Sequence, residues 1–114
     1  MSIAEGERNL KEYRKMGEDT LQKNIIDIAH ALGWKVAHFR PAKTEKGWRT
    51  CVSADGTGWP DLALARNQTV IFLELKSEKG KVRPEQQGWL DVLPNAYVVF
   101  PEDWYDGTVE KLLR

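Results

Sequence analysis

Pro60-Asp61 and Glu74-Leu75-Lys76 bracket an apolar run from Leu62 to Leu73, interrupted only at Arg66, Asn67, Gln68 and Thr69. The interruption predicts a tight hairpin turn between two strands. A two-residue loop at Asn67-Gln68 sets Arg66 opposite Thr69, Leu64 opposite Ile71, and Asp61 opposite Glu74. A four-residue loop from Arg66 to Thr69 keeps the same pairing. Directly opposed residues of an antiparallel pair share a face, with Cβ atoms about 4.5–5.5 Å apart. Lys76 lies two residues beyond Glu74 and joins them on that face. Two carboxylates so close repel each other unless something positive lies between them, and a hard divalent cation is the natural candidate. Mg²⁺ takes oxygen ligands and keeps several waters, so Asp61 and Glu74 with a carbonyl such as that of Leu75 form a suitable shell. Lys76 has two readings. It is either an ion-pair partner of Asp61 or Glu74, or the group that stabilises an attacking hydroxide and the charge growing on a phosphate.

Helical periodicity brings in two more polar residues. The stripe Leu21, Ile25, Ile28, Leu32 marks a helix over about Glu18 to Leu32, closed by Gly33. Glu18 continues that stripe backwards by three residues, with Gln22 four further on. Gln86 precedes Leu90 and Leu93 at helical spacing in a second helix, about Pro84 to Leu93, with Pro84 placed as its first residue. A Glu and a Gln at the margins of buried faces need polar partners or a metal. Their plainer reading is a helix-start acid favoured by the dipole and an early-helix polar residue. Gly88 inside the second helix costs about 1 kcal/mol relative to alanine.

The remaining elements follow from punctuation. A first strand runs from Trp34 to Arg40, stopped by Pro41, and a long irregular stretch, Ala42 to Gly58, holds Gly47, Gly56 and Gly58. The hairpin occupies about Pro60 to Lys76, followed by a basic turn from Ser77 to Arg83. After Pro94-Asn95 come a short strand, Ala96 to Phe100, and a last amphipathic helix, about Asp103 to Leu113. The order helix, three strands, helix, strand, helix makes an α/β fold with a mixed sheet and helices packed against it. Residues 1–17 read as a polar arm and 18–114 as one domain.

Composition narrows the function classes. The chain has 114 residues, 41% of them hydrophobic, with 17 Lys/Arg against 17 Asp/Glu, so neutrality argues against a uniformly basic surface. The charges are nonetheless segregated. Lys35, Arg40, Lys43, Lys46 and Arg49 precede the hairpin, Lys79, Lys81 and Arg83 follow Lys76, and acids gather near the C-terminus. Two basic segments flanking the carboxylates can form a phosphate-binding face, or be solvated loops. His38 shares a strand face with Arg40 and can touch phosphate, or be a satisfied strand-end histidine. Trp48, between Lys46 and Arg49, can stack on an unpaired base or anchor its loop. Trp34 and Trp89 read as core. The single Cys51 reads as structural and is compatible with a reducing cytoplasm. No signal peptide or membrane-spanning run is expected.

Gly58-Trp59-Pro60-Asp61-Leu62 and Glu74-Leu75-Lys76 resemble the signature of the PD-(D/E)XK nuclease superfamily, and within it the virus-type replication-repair nucleases, the VRR-NUC domain. Glu18 with Gln22 is similar to that family's first-helix motif. Gly33-Trp34 with His38-Phe39-Arg40-Pro41 resembles its first strand, and Gly80-Lys81 with Pro84-Glu85-Gln86 and Trp89-Leu90 its second-helix motif. The resemblance implies a restriction-endonuclease-like α-β-β-β-α-β(-α) core with a central mixed sheet flanked by helices. It implies a Mg²⁺-dependent endodeoxyribonuclease, with Mn²⁺ as substitute, structure-selective for branched DNA such as Holliday junctions, and dimeric. Asp61 and Glu74 would ligate the metal with the Leu75 carbonyl, and Glu18 would complete the site or orient water. Lys76 would position the nucleophile, and Gln86 would support the site. The nucleic-acid contacts would come from His38, Arg40, Lys43, Lys46, Trp48, Arg49, Lys79, Lys81 and Arg83. The expected setting is a bacterial or virus-infected cytoplasm. The alternatives are a non-cleaving DNA-binding module of the same fold, or a nuclease for linear DNA or RNA.

Overall fold

A computed structural model describes residues 16–39, 41–50 and 52–114, with the backbone course alone at 41–44 and 48–50. The expectations for Arg40, Cys51 and the arm over residues 1–15, and for the side chains of Lys43, Trp48 and Arg49, lie outside the described residues. The elements run α1 (Glu18–Ala31), β1 (Lys35–His38), β2 (Pro41–Thr44), β3 (Gly47–Thr50), β4 (Leu62–Arg66), β5 (Thr69–Leu75), α2 (Pro84–Val92), β6 (Ala96–Val99), α3 (Pro101–Tyr105) and α4 (Thr108–Leu113).

The predicted hairpin forms β4 and β5 in the expected register, with Leu62 opposite Leu73, Leu64 opposite Ile71, and Arg66 opposite Thr69. Asn67 and Gln68 both adopt positive φ, 49° and 68°, the backbone that matches a two-residue turn to the twist of its strands. β1 adds antiparallel to β4 and β6 adds parallel to β5, giving a mixed four-stranded sheet in the order β1-β4-β5-β6. The α/β fold is therefore the one expected, a mixed sheet flanked by helices.

Alternation along β4 and β5 divides the sheet into two unlike faces. Leu62, Leu64, Ile71, Leu73 and Leu75 are buried in one core cluster with Leu21, Ile25 and Ala29 of α1 and Val109 and Leu113 of α4. Helix α1 is closed by Gly33 at φ +86°. There the Trp34 amide donates to the Ala29 carbonyl at 2.9 Å and the Gly33 amide to that of His30 at 3.1 Å, the Schellman arrangement that only a residue tolerant of left-handed backbone closes cheaply. The opposite face is aromatic. The Trp59 ring meets Phe39, Phe72 and Trp89 edge-on, with centroids 5.6, 5.5 and 4.9 Å away.

Three expectations are corrected. The stretch from Ala42 to Gly58 is not irregular throughout: Pro41–Thr44 and Gly47–Thr50 pair as an antiparallel ribbon separate from the main sheet, turning at Glu45-Lys46. Proline is tolerated there because it opens the strand, and Gly47 supplies φ +99°. The first strand is shorter than expected, Lys35–His38, because Trp34 belongs to the helix-closing turn. The single terminal helix is two, α3 and α4, parted at Gly107 with φ +83°.

Candidate active site

Each of the five candidate catalytic residues is delivered by an element end. Asp61 stands just before β4, where its carbonyl accepts the Phe39 amide at 2.9 Å and its Oδ2 accepts the Leu75 amide at 2.7 Å. That last bond fixes more than Asp61. Along a strand the N–H and C=O of one residue point to the same edge, so the Leu75 carbonyl is directed beyond the end of β4, beside Asp61. Glu74 and Lys76 come from the end of β5 on the aromatic face, and Gln86 from the first turn of α2.

Burial makes this group unusual. Glu74, Lys76 and Gln86 are 2, 7 and 6% exposed, so their polar atoms require partners. Gln86 provides most of them. Its Oε1 accepts from Lys76 Nζ at 2.7 Å and from the Arg83 amide at 2.9 Å, and its Nε2 donates to Glu74 Oε1 at 3.0 Å. Lys76 Nζ also lies 3.5 Å from Glu74 Oε1. The ion pair expected of Lys76 is thus with Glu74. Among the described residues, Glu74 Oε2 is buried with no hydrogen-bond partner.

Burial, reinforced by the negative charge of Asp61, pushes the Glu74 carboxyl from 4.5 up to about 8, with Lys76 pulling the other way. Two carboxylates crowded together, one with an orphaned oxygen, are a poor arrangement for bare protein. They suit a cation between them. The donors present (two carboxylates and a backbone carbonyl) are all hard oxygens, which fits Mg²⁺ or Mn²⁺ better than a softer metal.

Glu18 is placed differently. It is exposed at the first residue of α1, and its Oε1 accepts the Ser77 amide at 3.3 Å. It lines the same cleft of about 740 Å³ as Asp61, Glu74, Lys76 and Gln86. No three His, Cys, Asp or Glu side chains converge on one point among the described residues, so Glu18 stands on the rim and not with the carboxylate pair.

The basic candidates also separate. Lys81 and Arg83 line the cleft, with Arg83 Nε 3.3 Å from Glu85, while Lys79 is exposed on the same turn outside the lining. His38 belongs to the seam between α1 and β1, its Nδ1 3.2 Å from Gln22 Nε2. Lys46 is exposed in the turn of the β2–β3 ribbon.

Three residues without an assigned role in the sequence reading shape the cleft. Trp59 forms a wall; its place next to Pro60-Asp61 is its sole signal. Gly58 has φ +86°, and a Cβ there would lie 2.5 Å from the Glu85 carbonyl oxygen, so the strand entry is pressed against the start of α2. Gly80 leaves room for the stem of Lys76, whose Cβ and Cδ would stand 3.2 and 3.3 Å from an added methyl.

A sequence model of one protein family, the VRR-NUC domain, matches residues 11–100. No curated protein and no solved structure matches the chain. No described helix is long and apolar enough to cross a membrane.

Proposed function

The chain belongs to the VRR-NUC domain family of the PD-(D/E)XK nuclease superfamily, and on that premise we propose that it is a Mg²⁺- or Mn²⁺-dependent endodeoxyribonuclease that acts as a homodimer on branched DNA such as Holliday junctions, in DNA repair within a bacterial or virus-infected cytoplasm. One observation carries the metal-dependent reading: the buried, unpartnered Glu74 oxygen beside Asp61, with Lys76 held against the same carboxylate.

Asp61, Glu74 and the Leu75 carbonyl would hold the cation. When bound, it supplies Lewis-acid polarisation of a phosphate oxygen and lowers the pKa of an attacking water. Gln86 fixes Lys76 through a 2.7 Å bond and Glu74 through a 3.0 Å bond, so neither must reorganise as charge develops. The Lys76 ammonium has three donors. With Gln86 and Glu74 engaged, one remains for the attacking oxygen or the phosphate. Glu18 on the rim orients water, and Lys81 and Arg83 hold flanking phosphates. A single 114-residue domain carries one such site, and coordinated cuts on two strands are simplest with two copies.

The test is cleavage of junction, linear and RNA substrates with Mg²⁺, Mn²⁺ or EDTA. Metal-dependent cutting of junctions by the wild type is expected, and Asp61→Ala, Glu74→Ala and Lys76→Ala should each abolish it in a folded protein. Undiminished cutting by Asp61→Ala overturns the mechanism, and no product with any metal points to a non-cleaving DNA-binding module. Preference for linear DNA or RNA overturns the branched-substrate reading, and a strict monomer on DNA by light scattering overturns the dimer.

A further inference from the structure

A second groove adjoins the carboxylate cleft and shares Thr57 and Glu85 with it. It measures about 540 Å³ and runs between the loop at Ala54–Thr57 and the outer side of α2. Its floor is Gly88, Trp89 and Val92. Val92 is 73% exposed, and nothing stands within 4 Å of where a Gly88 Cβ would be. The loop wall is built, not loose: Trp89 Nε1 donates to the carbonyls of Asp55 and Thr57 at 3.0 and 3.2 Å.

The two depressions differ in their cations. Lys76, Lys81 and Arg83 line the cleft beside Glu18, Asp61, Glu74 and Glu85, whereas among the described residues no Lys or Arg lines the groove and its charged residues are Asp55 and Glu85. Acidic rims without a cation repel phosphate. They accept from the amino and ring N–H groups at the edge of a nucleobase, while an apolar, aromatic floor suits its flat face. We propose that this groove receives an unpaired nucleobase of the strand whose phosphate lies in the carboxylate cleft. A base still paired and stacked has its Watson–Crick edge and both faces covered, so among branched substrates the groove favours those that expose unpaired nucleotides at the branch over fully paired junctions. This inference rests on the nuclease reading and adds its specificity determinant.

The test fills the groove without disturbing the fold. Gly88→Leu places a side chain in open space on an exposed helix position, so its thermal midpoint should equal or exceed that of the wild type. The probe is a single-stranded oligonucleotide containing 2-aminopurine, titrated in EDTA so that binding is read without turnover. The wild type should quench the probe more than it quenches the same sequence in a duplex, and Gly88→Leu should lose that quench and weaken binding of the single strand about tenfold, the scale of one base stacked on an aromatic ring. Equal quenching by Gly88→Leu and wild type, or by duplex and single strand, overturns the proposal and leaves the groove to a protein partner. A wild type that quenches the probe but cuts no DNA overturns the nuclease reading alone. One that cuts DNA and does not quench overturns the groove alone.

Discussion

Glu74→Gln in the metal-free protein should raise stability, and raise it more at pH 8 than at pH 6. The Glu74 carboxyl titrates near 4.5 when unfolded and at about 8 in the fold. Below pH 4.5 both states are protonated and nothing is lost. Between those values the unfolded chain ionises while the native state keeps its proton, so stability falls as pH rises. At about 1.4 kcal/mol per pH unit the full span sets a ceiling near 5 kcal/mol, with about 2 kcal/mol already lost at pH 6. Above pH 8 the native carboxyl ionises too and the loss levels off. A glutamine cannot ionise. Its amide can donate toward Asp61 from the position of the orphaned Oε2, while its oxygen still accepts from Gln86. Urea unfolding of both proteins in EDTA at pH 6 and 8 checks this, because every other titrating group is common to the two. The gap between them should widen by about 2 kcal/mol over that interval. Added Mg²⁺ should stabilise the wild type and not Glu74→Gln. Parallel pH profiles would refute the reasoning, since they would mean that Glu74 is ionised in the metal-free fold.

Gly58→Ala should cost about 2–4 kcal/mol, because it combines a left-handed backbone with a 2.5 Å approach to the Glu85 carbonyl; denaturant melting reads it. Gly80→Ala should lower cleavage several-fold at a stability cost of about 1 kcal/mol or less, since its methyl would press on the Lys76 stem at 3.2 Å; kcat compared with the melting midpoint separates the two effects. Arg66→Ala should destabilise by about 1–3 kcal/mol, measured by urea unfolding. It removes a guanidinium 4.3 Å above the Trp34 ring that also donates to the Leu32 and Arg114 carbonyls.

The hairpin was legible because a strand's side chains repeat every two residues. Once Asn67-Gln68 is taken as the turn, no freedom remains in which residues face each other. Gln86 was legible for the matching reason in a helix: it lies on the stripe of Leu90 and is buried, as that periodicity requires. The same extrapolation placed Glu18 too far inward. Periodicity fixes the direction of a side chain around the axis, but at the first residue of α1 there is no core left to bury it. The β2–β3 ribbon was hidden because it pairs only with itself and shows no apolar alternation. The break at Gly107 was signalled by Asp106-Gly107, yet the apolar residues on either side kept one helical phase. The aromatic assembly around Trp59 joins residues from two loop segments, a strand and a helix, and no local pattern encodes such a meeting.

The single oxygen Gln86 Oε1, shared between the Arg83 amide and Lys76, ties the start of a helix to the placement of the Lys76 ammonium. Unravelling the first turn of α2 therefore also frees Lys76 from its shortest contact and leaves it the 3.5 Å approach to Glu74. Deuterium uptake at the Arg83 amide would then time the release of Lys76 from Gln86, and a ligand that closes the cleft would slow exchange at that amide.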